Sequence, residues 1–321
     1  MGNSVTDSRE GGNTKISTLV IGGAGYIGAS LVPMLLAYGR QVTVIGRKPA
    51  PSFVLPDGVK YVQGDFSQVE LIRVLLEQHR EVVHLAYATV PNTSFVNPLD
   101  DLLQNLPPAV QLFQEMAKRK CRLVLVSSGG TVYGEAYELP IKETHRTNPI
   151  SPYGLTKLTL ENYAYLYAAT HGLEYVCVRP SNAYGPGQRP FSGQGFIATA
   201  MASALLGRPI QIFGEKGTIR DYLYVSDMAA GIVHTLIYGR ASEIYNLSSG
   251  VGLSNRDVIE AMAPLMWEIG CKIEVECLPE RAFDVKANVL DSAKLQAHTG
   301  WKARVGLNDG LRLTRDWLRK N

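Results

Sequence analysis

From Lys15 onward, short runs of apolar, largely β-branched residues alternate with longer stretches in which apolar positions return every three to four residues. The first pattern marks strands and the second marks helices. KISTLVI, QVTVIG, VKYVQG, EVVHLAY, CRLVLVSS and EYVCVRP are the predicted strands of the first half. Each is apolar almost throughout, as a strand covered on both faces should be. YIGASLVPMLLAYG is the first predicted helix, followed by helices over about 67–78, 99–118 and 152–170. Strands alternating with helices make parallel βαβ units, so an α/β, doubly wound parallel sheet is predicted. Within 99–118, Pro107 and Pro108 remove two backbone donors, and a break is expected near Asn105.

GGAGYIG at 22–28 spaces Gly22, Gly25 and Gly28 as GxxGxxG, directly after the first strand and directly before the first helix. That context suits a tight turn, a close approach of diphosphate to backbone N–H groups at a helix N-terminus, and helix-to-sheet packing. A purely structural Gly-rich turn is the competing account, and the strand-turn-helix setting argues against it. The sheet is therefore expected to be of the Rossmann type and to hold a nicotinamide dinucleotide, NAD. The second strand ends in VIGRKPAP, with no Asp or Glu for the adenosine ribose. Arg47 and Lys48 there admit NADP as well, or form a solvated turn. GDF at 64–66 places Asp65 and Phe66 near the adenine, and HLAYA at 84–88 ends a strand where the cofactor should lie.

SPYGLTK at 151–157 sets Tyr153 and Lys157 four apart on one face of a predicted helix. A phenol beside an ammonium is a usable acid and base near neutral pH. GGAGYIG, GDF, HLAYA, SSGGTVYG, YGLTK, RPSNAYGP, RDYLYVSD and RAFDVKANVLD occur in that order. With them the chain resembles the extended short-chain dehydrogenase/reductase family, nearest to its UDP-glucose 4-epimerase-like nucleotide-sugar members. The resemblance covers nearly everything from Lys15 to the C-terminus.

This resemblance implies an enzyme that epimerises a UDP-hexose or UDP-N-acetylhexosamine at C4 by transient oxidation. Tyr153 would be the acid and base, and Lys157 would hold the nicotinamide ribose and lower the tyrosine's pKa. The cofactor surface would comprise Gly22, Gly25, Tyr26, Ile27, Gly28, Arg47, Asp65, Phe66, Leu85, Ala86, Tyr87, Asn105, Tyr153, Lys157 and Pro180. Asn182, Arg189, Phe213, Arg220, Arg281, Asp284 and Asn288 would bind the sugar nucleotide, although Arg220 and Arg281 also suit structural ion pairs.

Two positions depart from the family pattern. Gly129 stands in SSGGTVYG where a catalytic Ser or Thr is usual, and Ser128 or Thr131 is expected to deputise. Asn288 replaces a bulky tyrosine, which suggests room for an N-acetyl group. Two other readings remain: an NADPH-dependent 4-keto-sugar reductase, supported by Arg47 and Lys48, and a catalytically silent nucleotide-binding protein, supported by Gly129. A 4,6-dehydratase would need an Asp-Glu pair where Gly130-Thr131 stand.

After about residue 182 the rhythm loosens into Pro- and Gly-rich loops, with helices over about 195–206, 226–238, 254–269 and 307–319. Residues 15–182 are read as the NAD(P)-binding domain, joined by returning segments from about 210–250, and 183–321 as mainly a smaller, C-terminal substrate-binding α/β domain. Residues 1–14 are polar and read as a disordered leader. Gly2 and Thr6 also fit an N-myristoylation pattern. A net charge of +3 without basic runs leaves no footprint for nucleic acid or a membrane surface. Cys121, Cys177, Cys271 and Cys277 lack ligand spacing and suit reduced, buried thiols, and the six histidines suggest no metal site. No apolar run is long enough to span a bilayer, so the expected compartment is the cytoplasm. By resemblance, helices 99–118 and 152–170 would pair across a two-fold axis in a homodimer.

Overall fold

The computed structural model describes residues 16–280 and 285–321. The expected leader, with Gly2 and Thr6, and the expected ligands Arg281 and Asp284 lie outside the described residues.

The first half runs β1 (Ser17–Ile21), α1 (Tyr26–Ala37), β2 (Gln41–Gly46), β3 (Lys60–Gln63), α2 (Val69–Gln78), β4 (Glu81–His84), α3 (Pro91–Val96), α4 (Pro98–Arg119), β5 (Arg122–Val126), α5 (Gly129–Val132), α6 (Pro152–His171) and β6 (Glu174–Pro180). Then follow β7 (Asn182–Tyr184), α7 (Phe196–Leu205), β8 (Ile210–Phe213), β9 (Ile219–Tyr224), α8 (Val225–Tyr238), β10 (Ile244–Leu247), β11 (Gly252–Ser254), α9 (Asn255–Trp267), β12 (Val275–Leu278), β13 (Ala287–Asn288), α10 (Ala293–Thr299) and α11 (Leu307–Leu318).

Seven parallel strands form the large sheet in the order β3-β2-β1-β4-β5-β6-β10. This is a Rossmann-type doubly wound sheet, whose order reverses between β1 and β4 and opens a crevice at the C-terminal strand ends. Successive apolar residues alternate between its two covered faces. Val20, Val44, Val83, Val124 and Val176 pack toward α1 and α8, while Leu19, Ile45, Val82, Leu123 and Cys177 pack toward α2, α4 and α6. Chain continuity returns to this sheet through α8 and β10, whereas β8 pairs with β12, and β9 pairs with β7, β11 and β13. A separate core of Tyr184, Ile197, Met201, Ile210, Met262 and Leu311 holds those smaller sheets and their helices. Cys121 and Cys177 are buried free thiols as expected, whereas Cys277 is exposed, because the short strand β12 is covered on one side only.

The expected break near Asn105 does not occur: α4 runs unbroken for 22 residues through Pro107 and Pro108. Asn97 caps its N-terminus through Asp100 N–H, Lys120 ends it in the left-handed region, and Ala109, Leu112, Phe113 and Met116 are buried beyond the prolines. Burial of that apolar stripe along α2 and α6 outweighs two lost intrahelical hydrogen bonds.

Candidate active site

One cavity of about 1030 Å³ is lined by residues at the C-terminal ends of the large sheet and by Phe196, Ile197, Arg220 and Tyr222 of the smaller sheets and their helices. Its wall carries four cations, Arg47, Lys48, Lys157 and Arg220, and a single carboxylate, Asp65, among the described residues. Such a balance suits polyanionic ligands.

The Gly-rich turn forms one end. Gly22 sits at φ +83°, and a Cβ there would stand 2.7 Å from the Ala86 nitrogen. A Cβ on Gly28 would collide with the Gly23 carbonyl, so helix and strand approach this closely only with glycine in place. Gly25 caps α1 without any side-chain acceptor, and no acidic residue lies in the first turn. The unsatisfied N–H groups of that turn therefore meet the cavity, which Gly22, Gly25, Tyr26, Ile27 and Gly28 line. These features fit the diphosphate of a dinucleotide. Arg47, Asp65 and Phe66 line the far corner, and Leu85, Ala86, Tyr87 and Pro180 the middle.

At the centre, α6 presents Tyr153 and Lys157 to the cavity on successive turns. Ser151 caps this helix by accepting from Gly154 N–H at 3.1 Å, and Pro152 follows at the first position, which fixes where the helix begins. The Lys157 ammonium donates to the Val126 carbonyl at 2.9 Å and lies 4.1 Å above the centre of the Tyr87 ring. It stands 5.8 Å from the Tyr153 ring, and the Tyr87 and Tyr153 rings meet edge to face at 4.7 Å. Burial pulls Lys157 down to about 8, against the opposing pull of Cys177, Glu161 and Asp101. Burial, then the charge of Asp101, pushes the Tyr153 phenol up. The lysine was expected to lower this phenol; within the protein alone, burial and Asp101 hold it above its ordinary value.

The segment 127–134 resolves the question of Gly129. Gly129 is buried and does not line the cavity; a Cβ there would run into Leu290 Cδ1 and stand 2.9 Å from the Arg179 carbonyl. Ser128, Gly130 and Thr131 line the cavity instead. Thr131 Oγ1 is buried without a hydrogen-bond partner among the described residues, whereas Ser127 Oγ donates to Glu161.

Four expected site residues are placed elsewhere. Asn288 is buried and donates to the Gly129 carbonyl at 3.0 Å, so it does not open the pocket; among the described residues of this segment, Val285 lines the cavity. Asn105 stands behind the wall, accepting from Ala88 N–H at 2.8 Å and donating to the Asp101 carbonyl at 2.7 Å, while the adjacent Gln104 lines the cavity. Arg189 and Phe213 do not line it either. Asn182 and Arg220 do. Sequence reasoning missed Gln104 and Val285 because helical and strand phase, not residue type, decides which neighbour faces inward. It also missed Ser94, whose hydroxyl accepts from Tyr153 N–H at 3.2 Å.

Residues 18–248 match the NAD dependent epimerase/dehydratase family. This chain belongs to that family. It is 32% identical over 310 residues to a UDP-glucose 4-epimerase of Mycolicibacterium smegmatis, covering 94% of this chain and 98% of the relative. It is 30% identical to a dTDP-4-dehydro-6-deoxyglucose reductase of Escherichia coli, over 90% or more of both chains. The crystal structure of a UDP-glucose 4-epimerase of Thermus thermophilus in complex with NAD superposes with a TM-score of 0.86 at 33% identity, covering 95% of this chain and 99% of that one. The chain is thus an NAD-dependent epimerase-type enzyme with a nicotinamide dinucleotide cofactor, and its relatives act on more than one nucleotide sugar.

Proposed function

We propose that this protein is a nucleotide-sugar 4-epimerase whose substrate is a UDP-hexose or UDP-N-acetylhexosamine. The observation that carries the reading is the shared cavity: Tyr153 and Lys157 line the same cavity as the Gly-rich turn of α1 and as Asn182 and Arg220. A nicotinamide held against Tyr153 and Lys157 would supply the hydride acceptor and donor, and its positive charge would favour the phenolate. Tyr153 accepts the proton of the sugar 4-hydroxyl and later gives it back to the 4-keto oxygen. Lys157, protonated at neutral pH because its value lies near 8, supplies the charge that offsets desolvation of the phenolate. Ser128 or Thr131, the hydroxyl residues of this segment that line the cavity, hydrogen-bonds the sugar oxygen in place of the hydroxyl absent at Gly129.

The test is incubation of the purified protein, without added cofactor, with UDP-glucose, UDP-galactose and their N-acetyl counterparts, following the anomeric proton signals. Interconversion is expected, with Tyr153→Phe slowing it by roughly 10²- to 10⁴-fold and Ser128→Ala or Thr131→Ala, whichever removes that hydroxyl, by about tenfold or more. Failure to convert any of the four sugars would overturn the reading. The arginine and lysine at the end of β2 favour a second reading, reduction of a 4-keto sugar nucleotide by NADPH, which stoichiometric cofactor consumption would reveal.

The same reading includes a homodimer. Val96 and Leu99 at the α3–α4 junction and Leu155, Tyr165 and Leu166 on the adjoining α6 form an exposed apolar face. Among the described residues, no helix is long and apolar enough to cross a membrane, and no group of His, Cys, Asp or Glu could hold a metal ion. Action in the cytoplasm is part of the proposal.

A further inference from the structure

We propose that Tyr87 is a positioning residue for the acid and base pair: its ring is the seat that holds the Lys157 ammonium and the Tyr153 ring in place, and Asp101 of α4 anchors it from behind. The inference deepens the epimerase reading, because it rests on Tyr153 and Lys157 carrying the chemistry. The Lys157 ammonium is buried, and one of its three donors goes to the Val126 carbonyl. It also rests against the Tyr87 ring, 4.1 Å from the centre, within the range of a cation–π contact. A ring face stabilises the charge without using up a donor, so the remaining N–H groups stay available to a ligand in the cavity. The Tyr153 ring meets the Tyr87 ring edge to face at 4.7 Å, so one side chain touches both members of the pair.

Tyr87 is itself clasped. Its hydroxyl donates to Asp101 Oδ2 at 3.4 Å, Thr89 Oγ1 donates to Asp101 Oδ1, and between them Ala88 N–H donates to Asn105 Oδ1 at 2.8 Å. Asp101 and Asn105 stand one turn apart on α4, so a single face of that helix fixes all of 87–89. Asp101 is fully buried, and its oxygens accept from two hydroxyls. The other titratable groups that face Lys157 are committed or neutral. Glu161 is bound by Arg179 at 2.6 Å, while burial pushes the Cys177 thiol and the Tyr153 phenol up and His84 down to about 3. Besides the Val126 carbonyl, the Tyr87 ring and the Asp101 carboxylate behind it are left to hold the ammonium.

With a value near 8, Lys157 has little margin: a fall of about one pH unit would leave half of it neutral at pH 7. NMR titration of the protein as purified, carrying lysine isotopically labelled at Cε, reads this without turnover, so its failure is separate from failure of the epimerase reading. Tyr87→Leu, which removes the ring face, should titrate Lys157 about one pH unit lower than the unaltered protein. Tyr87→Phe, which restores the ring, should bring it most of the way back. Asp101→Asn should move it in the same direction as Tyr87→Leu, and decides the matter if the leucine variant does not fold. In turnover, Tyr87→Leu should lower kcat about tenfold with the KM for the sugar changed by no more than about twofold, and the phenylalanine should recover most of the loss. Leucine and phenylalanine variants that titrate alike, or a Lys157 midpoint unmoved by Asp101→Asn, would overturn the proposal.

Discussion

Gly129 and Asn288 are the two departures from the family pattern, 159 residues apart, and one hydrogen bond of 3.0 Å joins them. Leu290, two residues beyond Asn288, occupies the space that a side chain on Gly129 would need. The missing hydroxyl and the missing tyrosine are thus one local repacking, in which the 285–290 segment closes against the glycine. Restoring the hydroxyl alone should fail for a steric reason. Gly129→Ser is expected to destabilise the protein by about 1–3 kcal/mol through overpacking, seen as a lower Tm, and not to raise turnover. Combined with Leu290→Ala, the loss should fall short of the sum of the two single losses, since each change relieves the other.

At the level of elements, β4 carries a buried histidine into the middle of the sheet. His84 closes the strand in register with Ile21 on one side and Leu125 on the other, and neither ring nitrogen has a partner among the described residues. Burial, with Lys157 nearby, pushes its imidazolium down to about 3. Because the unfolded chain binds that proton near 6.5, the strand's contribution is complete above pH 6.5 and is lost as pH falls toward 3. The loss amounts to roughly 5 kcal/mol at its limit. Denaturant unfolding of His84→Leu between pH 7 and 4 should show a shallower fall in stability than the unaltered protein. Helix α4 makes the complementary point: two adjacent prolines predict a break, and a helix capped at both ends and buried along one stripe does not break.

At the level of the whole molecule, α4 and α6 lie side by side and leave Leu99, Tyr165 and Leu166 exposed. Light scattering is expected to give a two-subunit mass, and Tyr165→Glu with Leu166→Glu a monomer that keeps its fold. The chain's sequence by itself determined the covered parallel sheet, since near-continuous apolar runs separated by helical periods can be buried on both faces only in that arrangement. It also determined the Tyr153–Lys157 pair that we propose as the acid and base site, and the glycines, because a Tyr-to-Lys spacing of four and a GxxGxxG turn are local facts. Only the tertiary structure decided which neighbours face the cavity: Gln104 rather than Asn105, Val285 rather than Asn288, Ser128 and Thr131 rather than Gly129. It also decided that Tyr61, in the neighbouring strand, places its hydroxyl 2.8 Å from where a Cβ on Gly46 would stand. Those outcomes depend on the phase of a helix or strand against a distant partner, and on desolvation by residues far apart in the chain, which no local pattern encodes.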